Sequence, residues 1–214
     1  MPLRICFIGD SITVGTGDEA FLGWPGRLCS AARSQGYDLT LYNLGIRGET
    51  SEDIRRRWRE EAERRLPAHM NCALVFAFGI NDCAVENGIK LRVELERTAI
   101  NARAILDEAK AWLPSIFVGP TPVDDSRLPP QLMPGKEIRI FNAQIAEANQ
   151  ALAGVMGEVG VSYLDLFTPL VSSPEWQRMM KLGDGIHPTC AGYEMMTQKV
   201  QDWEGWRSFL ARSR

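Results

Sequence analysis

The sequence predicts an α/β protein: a three-layer α/β/α sandwich built on a mostly five-stranded parallel sheet. Short apolar runs of strand length alternate along the chain with longer segments whose apolar residues recur at helical spacing. A strand followed by a helix of this length needs a crossover connection, which joins parallel strands and covers the sheet on both faces. No linker-like change of composition, internal repeat or low-complexity tract interrupts the chain, so we expect a single domain over residues 1–214.

Short apolar segments bounded by turn-forming residues are the predicted strands. The first ends at Gly9-Asp10 and the fourth at Gly119-Pro120, which are residue pairs that stop a buried strand at a turn. The predicted strands are residues 3–8, 39–44, 73–78, 116–118 and 161–164.

The segments between these strands carry the helical pattern. Gly36 ends the first predicted helix. The arginines at 55, 56, 57 and 59 occur together with glutamates at 60, 61 and 63, as on the solvated face of a helix. The irregular, proline-rich stretch 121–135 is expected to rim a pocket or to pack as a surface loop. The predicted helices are residues 24–32, 51–66, 91–113 and 136–159, with a last helix from about 191 onward.

Composition and charge exclude several classes of partner. The formal charge is -3, from 24 basic and 27 acidic residues, so no surplus of positive charge is available to bind a nucleic acid backbone. The five cysteines form no CxxC pair and are odd in number, which favours a cytoplasmic protein over a disulfide framework. No apolar run approaches the roughly 18 residues that span a bilayer, and no signal-peptide pattern is visible.

Polar, glycine-containing segments follow the predicted strands. Open α/β sheets bind ligands outside the carboxyl ends of their strands, so these segments are expected to meet at one edge. One further segment of the same kind precedes the last helix. The four segments are Gly9-Asp10-Ser11, Gly45 to Gly48, Gly79-Ile80-Asn81-Asp82, and Asp184-Gly185-Ile186-His187-Pro188.

Three of these residues can perform nucleophilic catalysis. A serine hydroxyl needs an adjacent base, usually histidine, and the chain has only two histidines. His69 precedes the third strand and belongs at the opposite edge of the sheet, which leaves His187 as the base for Ser11. Asp184, three positions before His187, can accept from the imidazole Nδ1–H and orient the ring. The G-x-S-x-G elbow of α/β-hydrolases is absent around Ser11, so a different scaffold is implied.

Acyl transfer also needs donors aimed at the oxyanion of its tetrahedral intermediate. Asn81 can supply a side-chain N–H, and Gly48 and Ser11 can supply backbone N–H groups. Asp10 is expected to hold the nucleophile loop by accepting backbone N–H groups. Asp82 is expected to support Asn81 in a similar way.

In this order and spacing, the segments resemble the SGNH, or GDSL, hydrolase family over nearly the whole chain. The resemblance implies a flavodoxin-like SGNH hydrolase fold, with Ser11 as nucleophile, Asp184 and His187 completing a triad, and Gly48 and Asn81 completing an oxyanion hole. Gly45 is the other candidate glycine. We prefer Gly48 because residues 48–51 resemble the G-x-T-S form of the family.

The resemblance implies a carboxylic ester hydrolase that works through an acyl-enzyme on Ser11 and needs no cofactor or metal ion. The expected substrate is a small-molecule ester, with short acyl chains favoured because no long apolar lid helix is evident. A thioesterase and a carbohydrate acetylesterase are alternatives within the family. The sequence contains no signal for the oligomeric state.

Two further interpretations remain open. A non-catalytic nucleotide-binding module is the alternative from another class, because residues 15–20 fit a G-x-G-x-x-A pattern with Asp38 downstream. The pattern begins too late after the first strand, which disfavours this interpretation. Trp24, Trp176, Met179 and Met180 are either an apolar wall for the acyl group or ordinary core residues at helical spacing.

Overall fold

A computed structural model describes residues 2–127 and 137–211 of the chain. Its main sheet has five parallel strands in the order β2-β1-β3-β6-β8, and a separate three-stranded antiparallel sheet has the order β5-β4-β7. In chain order the strands are β1 (Leu3–Gly9), β2 (Leu39–Gly45), β3 (Asn71–Ala77), β4 (Val85–Glu86), β5 (Lys90–Leu91), β6 (Ser115–Val118), β7 (Ile138–Arg139) and β8 (Ser162–Leu164).

Helices cover both faces of the main sheet. In chain order they are α1 (Ser11–Val14), α2 (Gly23–Ser34), α3 (Ser51–Glu63), α4 (Leu95–Trp112), α5 (Asn142–Val159), α6 (Phe167–Val171), α7 (Pro174–Leu182), α8 (Cys190–Asp202) and α9 (Glu204–Ala211). Within the described residues, no helix is long and apolar enough to cross a membrane.

The alternation of side chains along β1 separates two buried cores. Ile5 and Phe7 point to one face of the sheet and pack with residues of α2, α8 and α9, including Trp24. Cys6 and Ile8 point to the other face and pack with residues of α3, α4 and α5. The structure therefore confirms the predicted three-layer α/β/α architecture with its five-stranded parallel sheet.

The register brings the ends of the neighbouring strands β2, β1 and β3 level. Gly9 of β1 pairs with Gly45 of β2 and with Ala77 of β3. Because these strands are parallel, the segments that follow them all begin at the same edge of the sheet. The polar segments after the first three strands start there, as the sequence predicts.

Two predicted helix starts are wrong, and the small sheet is the reason. The helix predicted from residue 91 begins at Leu95, because Lys90–Leu91 pairs with β4 as strand β5. The helix predicted from residue 136 begins at Asn142, because Ile138–Arg139 pairs with β4 as strand β7. Residue 136, like residues 128–135 of the predicted proline-rich loop, lies outside the described residues.

Candidate active site

Ser11 lies at the turn where β1 ends and the short helix α1 begins. Asp10 is the N-cap of this helix, and its Oδ1 accepts a hydrogen bond from the Ile12 backbone N–H at 2.9 Å. Asp10 is only 2% exposed and Ser11 only 5%. The buried cap holds Ser11 at the carboxyl end of β1, and Asp10 has the loop-holding role expected of it.

His187 lies on the loop between α7 and α8, and Asp184 of the same loop holds it in place. The Asp184 Oδ1 accepts from the backbone N–H of Ile186 at 2.9 Å and of His187 at 2.7 Å. The Asp184 Oδ2 lies 2.6 Å from His187 Nδ1, and His187 Nε2 lies 2.9 Å from Ser11 Oγ. A carboxylate therefore orients a buried imidazole toward a serine hydroxyl.

The environment keeps the Asp184 carboxylate ionised. Burial by itself raises the pKa of this group, but the hydrogen bonds from the ring and backbone of His187 outweigh it and lower the pKa to about 2. An ionised acceptor at Nδ1 selects the tautomer that carries its proton there. His187 Nε2 then presents its lone pair to Ser11.

Asp10 is shifted in the opposite direction. Burial raises the pKa of its carboxyl to about 7, against smaller opposing effects of the Ile12 N–H and of His187. Two carboxyl groups close to the serine and histidine are therefore held in different states of ionisation near pH 6.

The segment 15–17, which matched a nucleotide-binding pattern, packs against the histidine loop. Gly17 has a φ of +86°, and a Cβ there would lie 2.9 Å from the Pro188 carbonyl oxygen. The Tyr193 hydroxyl donates to the Thr16 carbonyl oxygen at 2.8 Å. These contacts account for Gly17 by close packing of the two loops that carry Ser11 and His187. Gly15 packs against Gly23 instead, so neither glycine gives support to a nucleotide site.

Gly48 and Asn81, the two other predicted oxyanion donors, both lie at the cavity beside Ser11. Gly48 has a φ of +76°, which favours glycine, and it lines the same cavity as Ser11 and His187. Asn81 also lines it, and its Nδ2 donates to the Glu49 carbonyl oxygen at 3.0 Å, which leaves the second amide hydrogen for a ligand. Gly45, the other candidate glycine, packs against the backbone of α1 instead.

Asp82 does not support Asn81 in the way the sequence indicated. Its carboxylate accepts from the Ser51 backbone N–H and from the Thr98 hydroxyl, both at 2.7 Å. It therefore ties the start of α3 to α4. Burial raises the pKa of this carboxyl, while the hydrogen bond from Ser51 acts in the opposite direction.

The cavity beside Ser11 has a volume of about 350 Å³. Four isoleucines from three segments supply its apolar wall, and two arginines add positive charge. Its lining residues are Ser11, Arg47, Gly48, Ile80, Asn81, Arg92, Ile138, Ile140, Ile186 and His187.

The proposed apolar wall of tryptophans and methionines is wrong. Trp24, Trp176, Met179 and Met180 are all buried in the core on one face of the main sheet and do not line this cavity. The alternative that they are core residues is correct. His69 is exposed, just before β3, as expected for a residue at the opposite edge.

Sequence reasoning missed the two arginines of the cavity and two of its four isoleucines, Ile138 and Ile140. Arg47 is adjacent to Gly48, which was the only available signal for it. Arg92 and Ile138 reach the cavity because β5 and β7 pair with β4 in the small sheet, and two-residue strands leave no periodic pattern to detect.

The three-layer fold places Ser11, His187 and Asp184 in one hydrogen-bond chain beside a cavity, an arrangement suited to a hydrolase. A family model, the GDSL-like lipase/acylhydrolase family, matches residues 7–195, and the chain belongs to that family. It is accordingly a carboxylic ester hydrolase. A search of curated protein sequences finds no significant match.

Several solved structures share the fold. A lipase/acylhydrolase from Enterococcus faecalis is 22% identical, with a TM-score of 0.75 over 98% of this chain and 96% of that one. The psychrotrophic esterase EstA from Pseudoalteromonas sp. is 15% identical, with a TM-score of 0.70 over 97% and 98%. An acetylxylan esterase from Geobacillus stearothermophilus is 19% identical, with a TM-score of 0.66 over 96% of each chain.

Proposed function

We propose that the chain hydrolyses small carboxylic esters through an acyl-enzyme on Ser11, with His187 as general base and Asp184 as the residue that orients His187. The hydrogen-bond chain from Ser11 Oγ through the imidazole to the Asp184 carboxylate carries this proposal. Both Ser11 and His187 are buried beside a cavity large enough for a small ester.

The reaction has two balanced steps. Ser11 Oγ bonds to the ester carbonyl carbon while its proton passes to His187 Nε2, and the imidazolium then protonates the departing alkoxide as the ester C–O bond breaks. In the second step water gives a proton to His187 and attacks the acyl carbon. The bond to Ser11 Oγ breaks, the serine regains its proton, and a carboxylic acid leaves.

The oxyanion formed in each step needs donors on the side of the cavity away from His187. We assign this role to the backbone N–H groups of Ser11 and Gly48 and to the Asn81 amide. The second amide hydrogen of Asn81 and the open backbone at Gly48 support the assignment.

The proposed substrate has a short acyl chain. The cavity volume of about 350 Å³ lies at the small end of ligand pockets, and its apolar wall consists of isoleucines. All five cysteines are free, which supports the cytoplasmic location that we also propose.

Similar structures suggest further substrates and controls for the assay. One is an acetyl-xylooligosaccharide esterase, and the serine-to-alanine and histidine-to-alanine forms of that acetylxylan esterase are described as catalytic mutants. EstA is described as inhibited by monoethylphosphonate. The likeness to the acetyl-xylooligosaccharide esterase supports testing an acetylated oligosaccharide beside simple esters.

The test is a series of p-nitrophenyl esters from acetate to dodecanoate, assayed with the wild type, Ser11→Ala and His187→Ala. We expect Ser11-dependent hydrolysis with the highest kcat/KM from acetate to butyrate. Ser34→Ala, a change on the exposed C-terminal turn of α2, is the matched control and should keep full activity. Equal rates for the wild type and Ser11→Ala would reject the proposal.

A further inference from the structure

Two arginines, Arg47 and Arg92, line the cavity that opens on Ser11. Among the described residues that line it, none carries a carboxylate. The formal charge of the whole chain is -3, whereas the two arginines make the wall of this cavity positively charged. Clefts lined by one sign of charge concentrate ligands of the opposite sign.

The Arg47 guanidinium is uncompensated. Arg47 is exposed, and no described residue forms a hydrogen bond or an ion pair with its side chain. The nearest acidic residue along the chain, Glu49, is already bound by Arg57, whose Nε lies 2.6 Å from its Oε2. Arg57 also donates to the Gly9 carbonyl oxygen at 3.1 Å, which fixes it at the end of β1.

Arg92 is more buried than Arg47 and only loosely paired. Its side chain is 15% exposed, and its Nε lies 3.7 Å from Glu86 Oε1, which is beyond hydrogen-bond distance. Two other carboxylates, Asp53 and Asp82, lie close enough to Arg92 for its charge to act on their pKa. Both already accept hydrogen bonds, Asp53 from Thr50 and Asp82 from Ser51 and Thr98. No described residue accepts a hydrogen bond from the Arg92 guanidinium.

Both arginines are attached to the segments that carry the proposed oxyanion donors. Arg47 is adjacent to Gly48, and the Arg92 backbone N–H donates to the Ala84 carbonyl oxygen at 2.8 Å, three residues beyond Asn81. The isoleucine wall adjoining them is apolar and reduces competition from water. A guanidinium facing such a space gains most from a planar oxyacid anion, which it can bind through two hydrogen bonds.

We propose that Arg47 and Arg92 form an anion subsite, and that the substrate is a small ester bearing an anionic oxyacid group, a carboxylate or a phosphate. The inference rests on the proposed function, because it places the ester carbonyl at Ser11. It assigns the two arginines to substrate selection, whereas the hydrogen-bond chain of His187 and Asp184 performs the chemistry. The isoleucines then contact the uncharged part of the substrate.

The test compares isosteric charged and neutral esters with the intact protein. One pair, 4-acetoxybenzoate and 4-acetoxybenzamide, carries the charge on the leaving group. The other pair, monoethyl succinate and ethyl succinamate, carries it on the acyl group. 4-Acetoxyphenyl phosphate distinguishes phosphate from carboxylate. The readout is the ratio of kcat/KM for the anionic ester to kcat/KM for its neutral partner.

We expect the wild type to favour the anionic ester of at least one pair, and added salt to reduce this preference. The double variant Arg47→Met, Arg92→Met should lower the ratio by about 10- to 100-fold, the usual value of hydrogen bonds to a charged group. Arg56→Met removes an arginine that is 71% exposed on α3 and should leave the ratio unchanged.

The outcomes separate the two proposals. Hydrolysis that depends on Ser11 but favours the neutral ester in both pairs overturns the anion subsite and leaves the proposed function intact. A ratio that is the same in the double variant and in Arg56→Met also overturns the subsite. Failure to hydrolyse any of these esters, or the p-nitrophenyl series, overturns both. The wild-type ratio and its salt dependence decide the matter even if the double variant does not fold.

Discussion

The turn that carries Ser11 and the loop that carries His187 each contain an aspartate, and the two differ sharply. Asp10 is almost fully buried and receives one hydrogen bond to its carboxylate, from Ile12, so burial dominates and its pKa rises to about 7. Burial also acts on Asp184, but three hydrogen bonds from Ile186 and His187 outweigh it, and its pKa falls to about 2. Asp184 is an anion because it is less buried than Asp10 and receives more hydrogen bonds.

This difference assigns separate tasks to the two aspartates. The Asp184 carboxylate supplies a fixed negative charge at the Nδ1 edge of the imidazole, which is turned away from Ser11. Asp10 caps α1 through an oxygen that accepts the Ile12 N–H in either state of ionisation. Asp184 is placed to stabilise a positive charge on His187, and Asp10 is placed to hold Ser11 in position.

The largest effect on kcat is expected for Asp184→Asn. An amide at this position can donate to Nδ1 and stabilise the wrong tautomer, so we expect kcat to fall by about 10⁴-fold, as for the orienting aspartate of other serine hydrolases. The matched change Asp10→Asn keeps an accepting oxygen and should reduce kcat by less than about 10-fold. Steady-state kinetics on both variants measure this difference. An equal fall in kcat for the two variants would show that the two aspartates do not have separate tasks.

A smaller effect is expected for Asn81, one of the proposed oxyanion donors. If the negative charge of the intermediate is met by uncharged donors, Asn81→Ala should lower kcat by about 10²- to 10³-fold. KM should change little, because the lost interaction strengthens only in the transition state. A variant that raises KM at constant kcat would show that Asn81 binds the ground state and does not stabilise an oxyanion.

The smallest effect concerns stability and pH. The Asp10 pKa is raised from about 4 in the unfolded chain to about 7 in the folded one, so below about pH 4 the group is protonated in both states. Between these values only the unfolded chain ionises, and the free energy of unfolding decreases by about 1.4 kcal/mol per pH unit from this group. Above about pH 7 the loss is complete.

Asp10→Asn cannot ionise and should remove this slope. Urea unfolding of the wild type and the variant at pH 4.5 and pH 7 measures it, and the stability of the variant relative to the wild type should rise with pH. Parallel stability curves would mean that Asp10 ionises as readily in the folded protein as in the unfolded chain. Asp10 would then be ionised like Asp184, and the two aspartates would not differ in charge.

The residues around Ser11 and His187 could be located from sequence because strand ends share an edge. Once the strands were identified as parallel, the segments after them had to converge, and the scarcity of histidine singled out His187. Chain order does not reveal which glycine faces the cavity. The structure separates Gly48 from Gly45 because Gly45 ends β2 and packs on α1.

The cavity wall could not be predicted in the same way. Its residues come from positions as distant as Arg47, Arg92, Ile138 and Ile186, and they meet through two-residue strands and loops that have no periodic signal. The tryptophans and methionines that offered a candidate wall follow helical spacing because they fill the core. Specificity therefore depends on the contacts that sequence patterns describe least.

The central claim is that Ser11 is a nucleophile activated by His187. The most direct measurement is labelling with a fluorophosphonate, followed by peptide mass spectrometry to locate the adduct. We predict one adduct, on Ser11, that is absent from Ser11→Ala and forms far more slowly in His187→Ala, where the base is missing. Labelling that persists in Ser11→Ala, or that proceeds at the wild-type rate in His187→Ala, would contradict the account.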